Sequence, residues 1–382
     1  MRGKSLAWTA AVLCLAAGSA RAESPNLPRK LDDEIARLMI VGKIPGVAVA
    51  VVEKGKVAHV TAMGVRNQKG DPLTPATVMY AASLTKTTFA YYVMMLVDEG
   101  RLALDKPIAE ILPKPLPDYK AYADLAGDER WRKITPRILL SHSAGFPNFR
   151  WLNPDEKLDI KFEPGSRYAY SGEGLNLMQF VIEQGLGLKV GEDMDRRLFK
   201  PLGMARSRMV WRDDFATDLA DGRQADGKWE PHDDRSTVKA AGSLDTTIDD
   251  MGKLAAAMAN GWGLSKKARA EFSRGSLAIP AAWQFPPFTE EKNPENAKIG
   301  LAAGVGVVTF DGPQGHAFFK GGHNGITDNM MVCVEKRRAC VIVLTNAGDG
   351  QRIIPSIVEA ALGDTGLPWG WEYTRLLPVE AN

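Results

Sequence analysis

Apolar residues gather in short strand-like runs at the two ends of the chain and at helical spacing through its middle. Residues 31–41 repeat their apolar positions at the interval of a short amphipathic helix. Two apolar runs, 46–52 and 57–62, flank Glu53-Lys54-Gly55-Lys56, which is the signature of a β-hairpin. Strand-like runs return at 305–310, 316–320 and in the stretch from Met330 to Leu344, and 353–362 reads as a closing helix. Residues from about 80 to 260 read as mostly helical, with long polar loops and no repeats.

Strands at both ends with helices between them predict an α/β (α+β) fold. One antiparallel sheet is built from both chain ends and flanked by helices, with a mainly helical subdomain inserted. The α/β part is expected over about 28–80 and 260–365, and the helical part over about 81–260. Residues 212–235 form a loop with eight Asp/Glu against four Arg/Lys, read as a solvated loop near a site mouth rather than a metal site.

Composition narrows the classes. With 382 residues, 45% hydrophobic and 25% charged, the chain has ample material for a packed core and is not a disordered protein. A net charge of +2 gives no basic footprint for nucleic acid. Residues 1–22 carry Arg2 and Lys4, an apolar run and the small-residue end Ala20-Arg21-Ala22, and so read as a cleaved export signal. The run is too short to span a bilayer, which predicts a periplasmic or secreted protein, 23–382, with no integral membrane span. Loss of the signal would also turn the slight positive balance slightly negative.

Export places Cys333 and Cys340 in an oxidising compartment. If Lys336-Arg337 is a hairpin tip, Glu335 faces Arg338 and Cys333 faces Cys340, close enough for a disulfide. Two buried thiols are the alternative.

Several chemistries lack their motifs. There is no Walker loop, His-Glu-x-x-His, Cys-x-x-Cys or Gly-x-Ser-x-Gly elbow, although His142-Ser-Ala-Gly145 comes near the last. No cofactor or metal is expected. What is present is Ser83-Leu-Thr-Lys86. A serine hydroxyl needs a base, and a lysine three residues on along a helix reaches it. Burial would lower the lysine pKa so that it can take a proton. The apolar run 87–97 supplies a buried helix, ended by Gly100. Ser236-Thr-Val-Lys239 repeats the pattern, so the tetrapeptide alone is weak.

Context decides between them. Tyr80-Ala-Ala-Ser-Leu-Thr-Lys86 is followed by Val97-Asp-Glu-Gly-Arg-Leu, Leu140-Ser-His-Ser-Ala-Gly-Phe-Pro147, Pro164-Gly-Ser-Arg-Tyr-Ala-Tyr-Ser-Gly172 and Ala240-Ala-Gly-Ser-Leu244. In this order the motifs resemble the serine β-lactamase and penicillin-binding-protein superfamily, the class C β-lactamases above all. The resemblance covers nearly the whole chain after the signal and implies a β-lactamase/transpeptidase-like fold. It further implies Ser83 as the acylated nucleophile, Lys86 as its proton acceptor and Tyr170 as the motif tyrosine, its pKa depressed between two ammonium groups. Tyr168 reads as a packing residue. Lys320-Gly321-Gly322 would be the third motif, with Lys320 binding a substrate carboxylate. His323-Asn-Gly325 is the rival placement, and Lys189-Val-Gly and Lys298-Ile-Gly have weaker contexts. The backbone N–H groups of Ser83 and His323 would form the oxyanion hole, and Gly172, Gly321 and Gly322 would border the substrate.

One departure stands out. The second motif normally reads Tyr-x-Asn and here reads Tyr170-Ser171-Gly172. The lost amide would hydrogen-bond an amide side chain of the substrate, so the departure points towards esters or D-amino-acid peptides and away from efficient β-lactam hydrolysis. Asn176, one turn on, is the substitute if the backbone allows it. The reading from a different class is a non-catalytic penicillin-binding or cell-wall-binding module.

Overall fold

A computed structural model describes residues 27–373, so the expected export signal lies outside the described residues. The chain begins with α1 (Leu27–Gly42) and the hairpin β1 (Gly46–Glu53) and β2 (Lys56–Gly64). The hairpin is present, closed by a two-residue turn in which Lys54 and Gly55 both have positive φ, 52° and 77°. A Cβ at Gly55 would lie 2.1 Å from Asn260 Oδ1, so only glycine fits there.

Next come β3 (Met79–Tyr80), α2 (Leu84–Asp98), α3 (Pro136–Leu140), α4 (Gly172–Leu186) and α5 (Val190–Met194). The α2 helix stops as the sequence predicts. Gly100, at φ 71°, donates to Val97 O, and Arg101 donates to Leu96 O, a Schellman ending. The acidic loop holds the short ladder β4 (Gly222–Arg223) with β5 (Trp229–Glu230). β6 (Asp245–Thr246) pairs back onto β3, followed by α6 (Ile248–Asn260), α7 (Lys266–Phe272), β7 (Leu277–Ala278), α8 (Glu295–Lys298), β8 (Ala302–Ala303) and β9 (Val308–Gly312). Then β10 (Gly315–His323), β11 (Asp328–Val334) and β12 (Ala339–Thr345) lead to α9 (Ile354–Leu362) and α10 (Trp369–Glu372).

The main sheet is antiparallel throughout, eight strands in the order β2-β1-β12-β11-β10-β9-β8-β7, so both chain ends do build it. Its central strands are buried on both faces, which is why they read as unbroken apolar runs. Ala48, Ala50, Ile342 and Leu344 face the core shared with α2 and α6. Val47, Val49, Val341 and Val343 face the core shared with α1 and α9.

Three expectations change in detail. The stretch between α2 and α4 is mostly single 3-10 turns rather than helices. Prolines at 107, 113, 115, 117, 136, 147, 154 and 164 remove the backbone donors a long helix would need. The helices α2 and α6, grouped by sequence with the helical part, pack directly on the sheet. Finally, the acidic loop is heavily ion-paired: Arg66 with Asp218, Arg212 with Asp214, and Lys228 with Glu230.

The Cys333–Cys340 hairpin has the expected register. Cys333 lies opposite Cys340, and their sulfurs are bonded at 2.07 Å. No helix among the described residues is long and apolar enough to cross a membrane.

Candidate active site

The first turn of α2 and the open end of β10 meet at one point. Ser83 is the N-cap of α2, and Ala82 before it sits in the left-handed region at φ 46°. Such a backbone is uncommon for alanine and is typical of a residue held to serve a site. It turns Ser83 out into a cavity of about 730 Å³ that also receives Lys86, Tyr170, Asn176 and His323.

Lys86 Nζ lies 2.8 Å from Ser83 Oγ and also donates to Ala241 O. Burial, and then the nearby Lys320, hold the Lys86 amine well below its ordinary pKa. A neutral amine beside a serine hydroxyl is a base in position. The Tyr170 hydroxyl is hydrogen-bonded to Ser83 and lies 3.4 Å from Lys320 Nζ. Its ring has Lys86 Nζ and Lys320 Nζ at 5.0 and 4.8 Å from the centroid.

The expected acidic tyrosine is not found. Burial raises the Tyr170 pKa, and the bond to Ser83 only partly opposes it. Burial is the dominant cause, and it also lowers both flanking amines, Lys86 strongly and Lys320 to about 8. The site thus sets an amine of lowered pKa beside the Ser83 hydroxyl, next to a Tyr170 phenol whose pKa is raised.

Lys320 lies beside Tyr170, while the His323 ring bonds to carboxylates away from it. His323 Nδ1 pairs with Asp328 Oδ1 at 2.8 Å and Nε2 with Glu372 Oε1 at 2.9 Å. Burial alone would lower this imidazole, but the two carboxylates outweigh it and hold the pKa at about 9. Lys298 is paired with Glu295 and Lys189 with Glu192, both on the surface.

Lys320 itself is buried, bonded to Gly321 O and Tyr170 Oη, and does not line the cavity. It lies against Tyr170 Oη, behind the cavity surface. The three glycines expected to border the substrate do not wall the cavity either. Each marks a close approach. A Cβ on Gly322 would lie 2.8 Å from Ala81 O and 3.1 Å from Ser83 N, so the strand end rests on the backbone that presents the serine. One on Gly321 would strike Glu372, and one on Gly172 would lie 2.6 Å from the Phe149 ring.

The rival Ser236–Lys239 tetrapeptide is a loop at the cavity rim. Tyr168 is a packing residue, buried with its hydroxyl donated to Gln284. Asn176 does reach the cavity, and its Oδ1 accepts from Ala241 N at 3.1 Å, steadying the segment whose carbonyl holds Lys86.

His142, Glu372 and, on the cavity wall, Phe149 escaped the sequence. His142 stacks on Tyr170, centroids 4.6 Å apart, with its pKa driven well down by burial and by Lys320 and Lys86. Its only sequence signal was the near-elbow motif. Glu372 comes from a C-terminal segment that carries no motif at all.

Residues 31–360 match the model of the family described as Beta-lactamase. The chain belongs to the Beta-lactamase family. Among curated members, it is 28% identical over 218 residues to the lovastatin esterase of Penicillium rubens, covering 48% of this chain and 54% of that protein. It is 28% identical over 209 residues to esterase EstB of Burkholderia gladioli, covering 48% and 51%. The matched stretch thus spans about half the length of these relatives. Of solved structures, the octameric penicillin-binding protein homologue from Pyrococcus abyssi superposes with a TM-score of 0.70 at 23% identity, over 92% of this chain and 79% of that one. The Beta-lactamase-family fold accounts for the antiparallel sheet with helices on both faces.

Proposed function

We propose that the protein is an exported serine hydrolase that works through an acyl-enzyme on Ser83, acting on carboxylic esters or D-amino-acid amides and peptides in preference to β-lactams. The observation that carries this reading is Lys86 Nζ, neutralised by burial, 2.8 Å from Ser83 Oγ at the wall of an open cavity. The esterases among the relatives support the choice of substrate. The Cys333–Cys340 disulfide supports the export.

In the first half-reaction Ser83 Oγ attacks the carbonyl carbon and its proton passes to Lys86. The negative charge that develops on the carbonyl oxygen faces the backbone N–H groups of Ser83 and His323; removing one such donor typically costs about 10²- to 10³-fold in rate. The tetrahedral species collapses by breaking the bond to the leaving group, which takes a proton from Tyr170 Oη. The proton that Lys86 took from Ser83 then restores Tyr170, so the lysine and the phenol both return to their starting states. Water then attacks the ester carbonyl by the same route in reverse, releasing the acid and restoring Ser83.

The test is labelling of the protein by a fluorophosphonate and by fluorescent penicillin, with Ser83→Ala as control. The hydrolase reading requires covalent labelling of Ser83 and turnover of at least one p-nitrophenyl ester, D-Ala dipeptide or cephalosporin. Reversible penicillin binding with no labelling or turnover would instead mark a binding module.

A further inference from the structure

We propose that Phe149 and Trp151 form a fixed aromatic shelf in place of the missing motif amide, and that it selects substrates whose acyl group is an aromatic or bulky hydrocarbon. The inference rests on the serine-hydrolase reading of Ser83.

Gly172 and Phe149 are a matched pair. A Cβ at Gly172 would come within 2.6 and 2.8 Å of two Phe149 ring carbons. The ring therefore occupies the space into which an asparagine at 172 would project. What the sequence shows as a lost amide is, in three dimensions, an amide replaced by a phenyl ring. Phe149 stacks on Trp151, with centroids 4.3 Å apart and planes within 5°. Both rings line the cavity that holds Ser83 and Lys86. Trp151 is 60% exposed and Leu152 beside it 64%, among the few large apolar side chains left open to solvent. Apolar surface left open at a cavity mouth marks a binding surface.

The shelf is also held rigid. Asn148 O accepts the N–H groups of Gly172 and Glu173 at 2.9 and 3.0 Å, and Asn148 Oδ1 accepts Gly172 N–H at 3.0 Å. Arg150, between the two rings in sequence, donates Nε and Nη2 to the two oxygens of Glu173 at 3.1 and 2.9 Å, and Nη1 to Ala121 O. Glu173 is buried, so this bidentate pair is strongly directional and costly to break. A pair of rings fixed before binding loses little freedom when a substrate arrives.

An acyl group carrying an amide would meet the Phe149 ring where an asparagine at 172 would offer it a hydrogen-bond partner. A flat hydrocarbon would stack. Discrimination of about ten- to a hundredfold is the expected scale.

The experiment compares kcat/KM for p-nitrophenyl phenylacetate and the p-nitrophenyl ester of N-acetylglycine, each corrected for spontaneous hydrolysis. The wild type is expected to favour the phenylacetyl ester at least tenfold. Trp151→Ala, at an exposed position that the fold does not need, should reduce that ratio about fivefold. Gly172→Asn alone should impair both substrates because the ring blocks the new side chain. Phe149→Ala with Gly172→Asn should turn the ratio at least tenfold towards the amide-bearing ester. Fluorophosphonate labelling of Ser83 in each variant separates the two levels of the reading. Failure to label the wild type would overturn the hydrolase assignment and this one with it. Full labelling with no wild-type preference, or with a ratio unmoved by Trp151→Ala and by the double variant, would overturn the shelf alone.

Discussion

Glu372 Oε1 sits 2.9 Å from His323 Nε2, tying the last helix of the described chain to a residue that lines the same cavity as Ser83. With Asp328 on the other ring nitrogen, the imidazole is gripped from both sides. Glu372→Gln should weaken that grip and lower kcat by about tenfold, with a smaller change in KM, because the donor is misaligned while the cavity is intact. Steady-state kinetics on one ester check this; an unchanged kcat would show that the strand end holds itself.

The same pair has a signature in stability. The folded-state pKa of His323, about 9, lies above the ordinary imidazole value. Its contribution is therefore complete below about pH 6.5 and is lost as pH rises through about 9. Melting temperatures measured from pH 6 to 10 should fall at the alkaline end in the wild type, and the fall should be shallower in His323→Gln. Parallel curves for the two proteins would refute the assignment.

Activity should have its own pH limits. Lys86 must be unprotonated to accept the Ser83 proton, so kcat/KM should rise as pH climbs through its depressed pKa on the acid side. Lys320 loses its charge through about 8, which makes the Tyr170 phenol a poorer proton donor, so the rate should decline above that point. Lys320→Arg keeps a charge at all accessible pH values and should remove the alkaline limb, whatever its effect on the maximum.

Gly322→Ala tests the contact between the strand and the nucleophile. The added methyl meets backbone rather than mobile side chains, at 2.8 Å from Ala81 O and 2.9 Å from Leu84 N. A loss of about 1–3 kcal/mol in stability is expected, with activity reduced about a hundredfold or more because Ser83 itself must move. Denaturant melts and ester turnover measure the two separately.

Reduction of the Cys333–Cys340 bond should be tolerated by the fold but not silently. The loop it closes is short, so the expected loss is about 2 kcal/mol. The check is the unfolding midpoint of Cys333→Ser with Cys340→Ser against the oxidised protein, with intact mass confirming the bond.

How much of this was legible follows from whether the signal is local. Strands β1, β11 and β12 showed because strands buried on two faces must be apolar at every position. Ser83 and Lys86 showed because one helical turn makes them neighbours. Phe149, His142 and Glu372 did not, since each reaches the site through tertiary packing that no spacing encodes. Gly172 was visible only as an absence, and the ring that makes sense of it lies on another loop. The tyrosine pKa was misjudged for a related reason: the sequence supplies two lysines, but only burial decides whether they carry charge.

The pairing of β1 with β12, Val47 opposite Thr345, has a consequence in time. A growing chain emerges with its serine and lysine early and the strand that completes their surroundings late. Until the final third is synthesised, β1 has only β2 beside it and the Gly322 edge does not exist. Covalent labelling of Ser83 is thus a sensor of finished folding, and a prematurely terminated chain should carry the nucleophile yet stay chemically silent.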